Sequence, residues 1–220
     1  MARPRSDIAG RIVAAARERF LKQGVDGASL REIAHAARTS IGMVYYYFPS
    51  KDDLLLAVVE EVYVGLMAGV TAALATDAPI QVRLQRLYAR VGSLDATEFD
   101  VIRIVLREAL VSSDRFRKLF KRFLQDGGHV QLIVRTALEG MSAGVLRADL
   151  PPLVLVVAIM SLGLTPVVAR RLAVGAVPGL DLPPPEEMAD TLTKALLEGI
   201  GAKGSARSPR ARSARRSPRA

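Results

Sequence analysis

The chain has 220 residues, 31 Lys and Arg against 22 Asp and Glu, a formal net charge of +9, and half of its residues are apolar. That length supports one or two domains with a sizeable core. The absence of Cys excludes a disulfide framework and every thiolate metal or redox motif, and it fits a reducing compartment. Residues 1–6 carry basic side chains with no apolar run behind them, which is not the pattern of a secretory signal, so a cytoplasmic protein is expected.

The location of the charge says more than its sum. Residues 1–50 hold 8 Lys/Arg and 4 acids, residues 51–200 hold 16 and 18, and residues 201–220 hold 7 and none. Cationic ends around a slightly acidic centre point to a polyanion met by the ends, with nucleic acid the first candidate.

A helical pattern begins at Asp7, with Ile8, Ile12, Ala16 and Phe20 spaced by four along one face, and Gly24 as its stop. Ser29-Leu-Arg-Glu32 has the spacing of a capping box and opens a short second helix. A third runs from about Ser40 to Tyr47, because Pro49 bars continuation. Ser50-Lys-Asp-Asp53 repeats the capping logic and opens a long apolar helix to about Thr76. Beyond it the pattern stays helical, with breaks at 77–79, near 95–97, at 112–114, around 140–149 and at 175–185. No stretch alternates with period two, so the expected fold is all-α.

Two segments match membrane patterns and are weighed as such. Leu150 to Ala169 is twenty residues without a charge, the length of a span, but Pro151, Pro152 and Pro166 interrupt it and favour a helix buried in an oligomer interface. Gly65-Leu-Met-Ala-Gly69 matches GxxxG, and Glu60 and Glu61 one turn away favour close packing in a soluble core. No membrane partner is expected. Residues 201–220 contain nothing apolar larger than Ala and Pro and are expected to be a disordered basic tail. That tail is either a flexible polycation on DNA or an inert terminus.

Two short helices joined by a tight turn in a cationic segment form a helix-turn-helix, whose second helix enters the major groove. Ile33, Ala34, Ala37, Val44 and Phe48 can pack the pair against Phe20 and Leu21. That leaves Ser40, Ile41, Gly42, Met43, Tyr45 and Tyr46 at or near the other face. Gly42 lets backbone approach DNA, Ile41 and Met43 can touch thymine methyls, and Tyr hydroxyls reach phosphates or base edges. Three adjacent Tyr at 45–47 cannot all face inward on a helix, so the aromatic run is not only a core cluster.

Residues 11–54, with Gly24, Ser29-Leu-Arg-Glu-Ile-Ala34, Val44-Tyr-Tyr-Tyr-Phe-Pro-Ser-Lys51 and Leu54, resemble the DNA-binding domain of the TetR family of repressors. The resemblance implies phosphate contacts from Ser29, Tyr47 and Lys51, and groove contacts from Ser40, Ile41, Gly42, Met43, Tyr45 and Tyr46. Lys51 has an independent reason, since an ammonium beside the orphan amides near Ser50 makes one anion site. Arg38 stands where the family usually has Gly in the turn, which implies either a left-handed residue or an altered turn, and it is a further candidate phosphate contact. Ile41 stands where a basic residue is common.

The resemblance further implies a DNA-binding domain over 1–50 and a helical ligand-binding and dimerisation domain over 51–200, to which composition alone adds the tail over 201–220. Leu153 to Ala169 and Pro185 to Ile200 are the expected dimer helices, and a homodimer fits a palindromic double-stranded operator. Met67, Phe99, Phe116, Phe120, Phe123, Met141 and Met160 are candidates to line an apolar pocket for a small-molecule effector. Arg103, Arg107 and His129 are candidate polar anchors. No catalytic motif, cofactor site or metal site is read in the chain, so an enzyme is not expected. An architectural nucleoid protein without an effector is the alternative to a repressor.

Overall fold

The computed structural model describes residues 5–125, 129–173 and 182–199. Helices account for all regular structure among them: α1 (Arg5–Gly27), α2 (Leu30–Ala36), α3 (Ile41–Tyr47), α4 (Lys51–Leu74), α5 (Ile80–Gly92), α6 (Ala96–Val111), α7 (Ser113–Gln125), α8 (His129–Ser142), α9 (Pro152–Ala173) and α10 (Pro185–Glu198). The basic tail and its expected disorder lie outside the described residues.

Local signals set most boundaries. Ile12, Ala16 and Phe20 on α1 are fully buried, as their spacing demands. At α4 the capping box forms, with the Asp53 amide donating to Ser50 Oγ at 3.1 Å and the Ser50 amide donating to Asp53 Oδ2 at 3.0 Å. A second box heads α6, where the Glu98 amide donates to Asp95 Oδ1 at 2.8 Å and the Asp95 amide to Glu98 Oε2 at 3.0 Å. Pro185 at the first turn starts α10, where a missing N–H costs nothing.

Two expectations need correction. Gly24 kinks α1 rather than ending it: its φ of 77° breaks the regular turn, and helix resumes to Gly27. Ser29 caps α2 without a side-chain hydrogen bond, because Glu32, the other half of the expected box, is drawn to Arg19 at 3.4 Å and Gln23 at 3.5 Å. As expected for a helix over 153–169, α9 runs through Pro166, and it continues to Ala173. The lost N–H frees only the carbonyl four residues back, a cost that surrounding packing can offset.

Two main cores form. The first joins α1–α3 to the first half of α4 and to Val101, Ile104 and Leu119 of α6 and α7. Leu54, Leu55 and Val58, past the expected boundary at 50, are fully buried in it. The second joins the far half of α4 to α5, α8, α9 and α10. Among the described residues, two helices, Lys51–Leu74 and Pro152–Arg171, are long and apolar enough to cross a membrane. α4 packs on α1, α5, α6 and α8, as a core helix does. Within its GxxxG, a Cβ on Gly69 would collide with the Arg90 side chain, whereas one on Gly65 would meet open space.

Candidate DNA-reading head and effector cavity

The turn between α2 and α3 is closed by backbone. The Thr39 amide donates to Ala34 O and the Arg38 amide to His35 O, both at 3.0 Å, the paired bonds of a Schellman ending. Arg38 occupies the left-handed position of that motif with φ 52°. Of the two alternatives for Arg38, the chain therefore adopts the left-handed residue, a conformation that costs an L side chain about 1–2 kcal/mol. Arg38→Gly is expected to raise the thermal midpoint, by about 1 kcal/mol of relieved strain, while removing a surface cation from the head and weakening DNA binding. Calorimetry and a binding titration check both halves; a lowered midpoint contradicts the strain.

Ser40 caps α3, its Oγ accepting from the Met43 amide at 3.3 Å. Val44 is fully buried and fixes which face of α3 turns inward. Ser40, Gly42, Tyr45 and Tyr46 are exposed, with Tyr46 the most open of the tyrosines at 67%. Ile41 and Tyr47 are half-buried against the first core, and Met43 and Ser29 are half-buried too. Tyr46 meets Tyr47 edge to face at 5.2 Å, so the exposed ring is braced by the packed one. Lys51 Nζ donates to Asp26 O at 3.1 Å, placing its charge at the junction of α1 and α4. The exposed candidates thus share the outer side of α3, with Arg38 exposed at the turn.

A cavity of about 430 Å³ lies on the seam between the two cores, within the usual range for small-molecule sites. α4 gives Val59, Val62, Tyr63, Leu66, Met67 and Val70 to its wall; α6 and α7 give Val105, Leu106, Phe116, Leu119, Phe120 and Phe123. Tyr88 and Gly163 come from α5 and α9, with Met160 and Ser161 beside them. Among the described residues, no charged side chain lines it. Of its polar groups, Tyr63 donates to Phe123 O at 3.2 Å, while the Tyr88 hydroxyl is buried without a hydrogen-bond partner. That burial pushes the Tyr88 pKa up. Half-exposed Phe120 and Met160 mark where the wall meets solvent.

Of the candidate ligand residues, Met67, Phe116, Phe120, Phe123 and Met160 come together here, and Phe99, Arg103 and Met141 do not. Phe99 is buried beside Leu94 and Val167, under the Arg171 guanidinium at 5.1 Å. Arg103 is exposed and pairs with Asp100 at 3.5 Å. Met141 packs on the second core. Arg107 points to the head instead, donating to Gln23 O at 3.4 Å beneath Gly24, where a Cβ would come within 2.8 Å of its guanidinium carbon. The His129 side chain lies outside the described residues. Beyond Met67 on α4 and Met160 on α9, the sequence did not single out what α4, α5 and α9 give to the wall. The one available signal was the excess of apolar residues around α4, more than one buried stripe requires.

Residues 12–58 match the family described as "Bacterial regulatory proteins, tetR family". This segment is a TetR-type DNA-binding domain. Over 118 residues it is 28% identical to the Probable HTH-type transcriptional regulator YttP of Bacillus subtilis, covering 52% of this chain and 57% of that protein. Over 82 residues it is 37% identical to the HTH-type transcriptional activator FasR of Mycolicibacterium smegmatis, 37% of each chain. The chain thus spans a little over half of the first curated relative and somewhat more than a third of the second. Its fold is that of the transcriptional regulator FadR from Bacillus subtilis, solved in complex with stearoyl-CoA: TM-score 0.69, 19% identity, 87% of this chain and 99% of that one.

Proposed function

We propose that this chain is a cytoplasmic TetR-family transcriptional repressor that binds a palindromic operator as a homodimer and is released by an acyl-chain effector. The observation that carries this reading is a helix-turn-helix head sharing one core with α6 and α7, which also wall an apolar cavity. A wall without charged groups favours a long aliphatic body, and the cost of burying an unpaired charge keeps an anionic head at the opening. The likeness in fold to a regulator crystallised with stearoyl-CoA supports that ligand class. Selection from random duplex should enrich one palindrome, and palmitoyl-CoA should release it. Equal affinity for random and selected duplex would overturn the reading in favour of an architectural DNA-binding protein.

Tyr46→Ala and Lys51→Ala are each expected to weaken operator binding with little change in midpoint or dimerisation. Lys51→Ala should also flatten the slope of log affinity against log salt by roughly 0.9, one phosphate contact's share of released counterions. Wild-type binding by both variants across several salt concentrations contradicts the placement of the DNA contacts.

The tail enters through electrostatics alone. Deleting residues 201–220, with 7 cations and no acids, is expected to lower affinity for operator and random duplex by similar factors, most at low salt. Unchanged salt slopes make the tail a bystander; a loss confined to the operator means that it reads sequence.

A further inference from the structure

Two guanidinium groups, one on α6 and one on α7, reach from the cavity wall to the reading head. The Arg107 contact from α6 is single and long, at 3.4 Å. Arg115, in the first turn of α7, is held far more tightly. Its Nη1 donates to Glu108 Oε2 of α6 at 2.6 Å, its Nη2 to Asp26 Oδ1 at 2.7 Å, and its Nε to Asp52 Oδ1 at 3.0 Å. Those acids belong to three different elements. Glu108 is buried and fixes the guanidinium to the cavity side. Asp26 lies at the end of α1 just ahead of α2, and Asp52 stands beside Lys51, whose ammonium holds the Asp26 carbonyl.

We propose that the Arg115–Asp26 contact couples the cavity to the reading head, so that a change in cavity filling is transmitted through the first turn of α7 to the junction of α1, α2 and α4. This rests on the cavity being the effector site. Phe116, the residue after Arg115, lines the cavity, and Leu119 one turn on lines it while also belonging to the core shared with the head. Close-packed interiors deform little, so an occupant that reorders Phe116 and Phe120 moves α7 as a body. A planar fork on a carboxylate holds only within a narrow geometry, which makes the contact an element with two states, engaged or released.

The test uses Asp26→Asn, which leaves Arg115 with Glu108 and Asp52 and changes a side chain that is 70% exposed. It is combined with Phe120→Ala, which alters the cavity wall at a half-exposed position. Hydrogen exchange of the amides in residues 20–48 reads the head in the full chain without ligand. Phe120→Ala is expected to change head opening by about fivefold with Asp26 present and by less than about twofold in the Asp26→Asn background. Equal changes in both backgrounds overturn the coupling. Palmitoyl-CoA supplies the second arm. A raised midpoint in both the wild type and Asp26→Asn, with a head response in the wild type alone, supports the proposal; a head response in both overturns it. If palmitoyl-CoA raises neither midpoint, the effector reading fails for that class and the ligand-free cycle alone decides the coupling.

Discussion

Val157→Asp is expected to give a folded monomer that has lost specific DNA binding, although the reading head is untouched. α9 buries Leu155, Val156 and Ile159 against the second core and turns Leu153, Val154, Val157 and Met160 outward, each more than half exposed. Such a stripe on a helix whose inner side is already packed is the surface that the proposed dimer would cover. α10 contributes less apolar surface, because its inner face packs on α5 and its outer side carries Glu186, Glu187, Lys194 and Glu198. An uncompensated charge in a buried interface costs about 3–5 kcal/mol, roughly two to four decades in the dimer dissociation constant. A palindrome needs both heads, so operator affinity falls with it. Sedimentation of Val157→Asp as an intact dimer overturns the interface. Recovery of the wild type only from detergent-extracted membranes would restore the spanning reading of α9.

The reading head was legible because its signals are local. The four-residue spacing of Ile12, Ala16 and Phe20, the Ser50–Asp53 cap and Pro49 each act within a turn or two, and the structure uses each one. Where the sequence misled, a distant partner had won. Glu32 left the expected box for Arg19 and Gln23, and Gly24 became a kink with the Arg107 guanidinium packed where a Cβ would stand. The cavity was half legible for the same reason. Phe116, Phe120 and Phe123 announce one apolar face of α7, but nothing within α5 says that Tyr88 faces α9 across Gly163, where a Cβ would sit 3.2 Å from the ring. Phe99 and Met141 are as apolar as the residues that line the wall, and only the packing of α6 and α8 turns them elsewhere.

Arg115→Met is expected to be among the most destabilising single changes in the chain, by about 3–5 kcal/mol at neutral pH, because it strips a buried carboxylate of its partner. Glu108 is 3% exposed and Arg115 Nη1 lies 2.6 Å from it. Glu108→Gln in the same background should recover part of the loss, since a neutral amide needs no counter-charge. Acid should narrow the gap between wild type and Arg115→Met. The Arg115 hydrogen bond and charge hold the Asp26 carboxyl below the usual range. At Asp52 burial pushes upward, but Arg115 and Lys118 outweigh it and its pKa is also lowered. A carboxyl depressed in the folded state contributes stability above its unfolded pKa and loses it as pH falls through the folded one. The advantage of wild type is therefore full near pH 7 and shrinks below about pH 4. Urea unfolding of both proteins across that range checks the sign. A variant within about 1 kcal/mol of wild type at pH 7 would show that the cluster contributes no more than an exposed ion pair does.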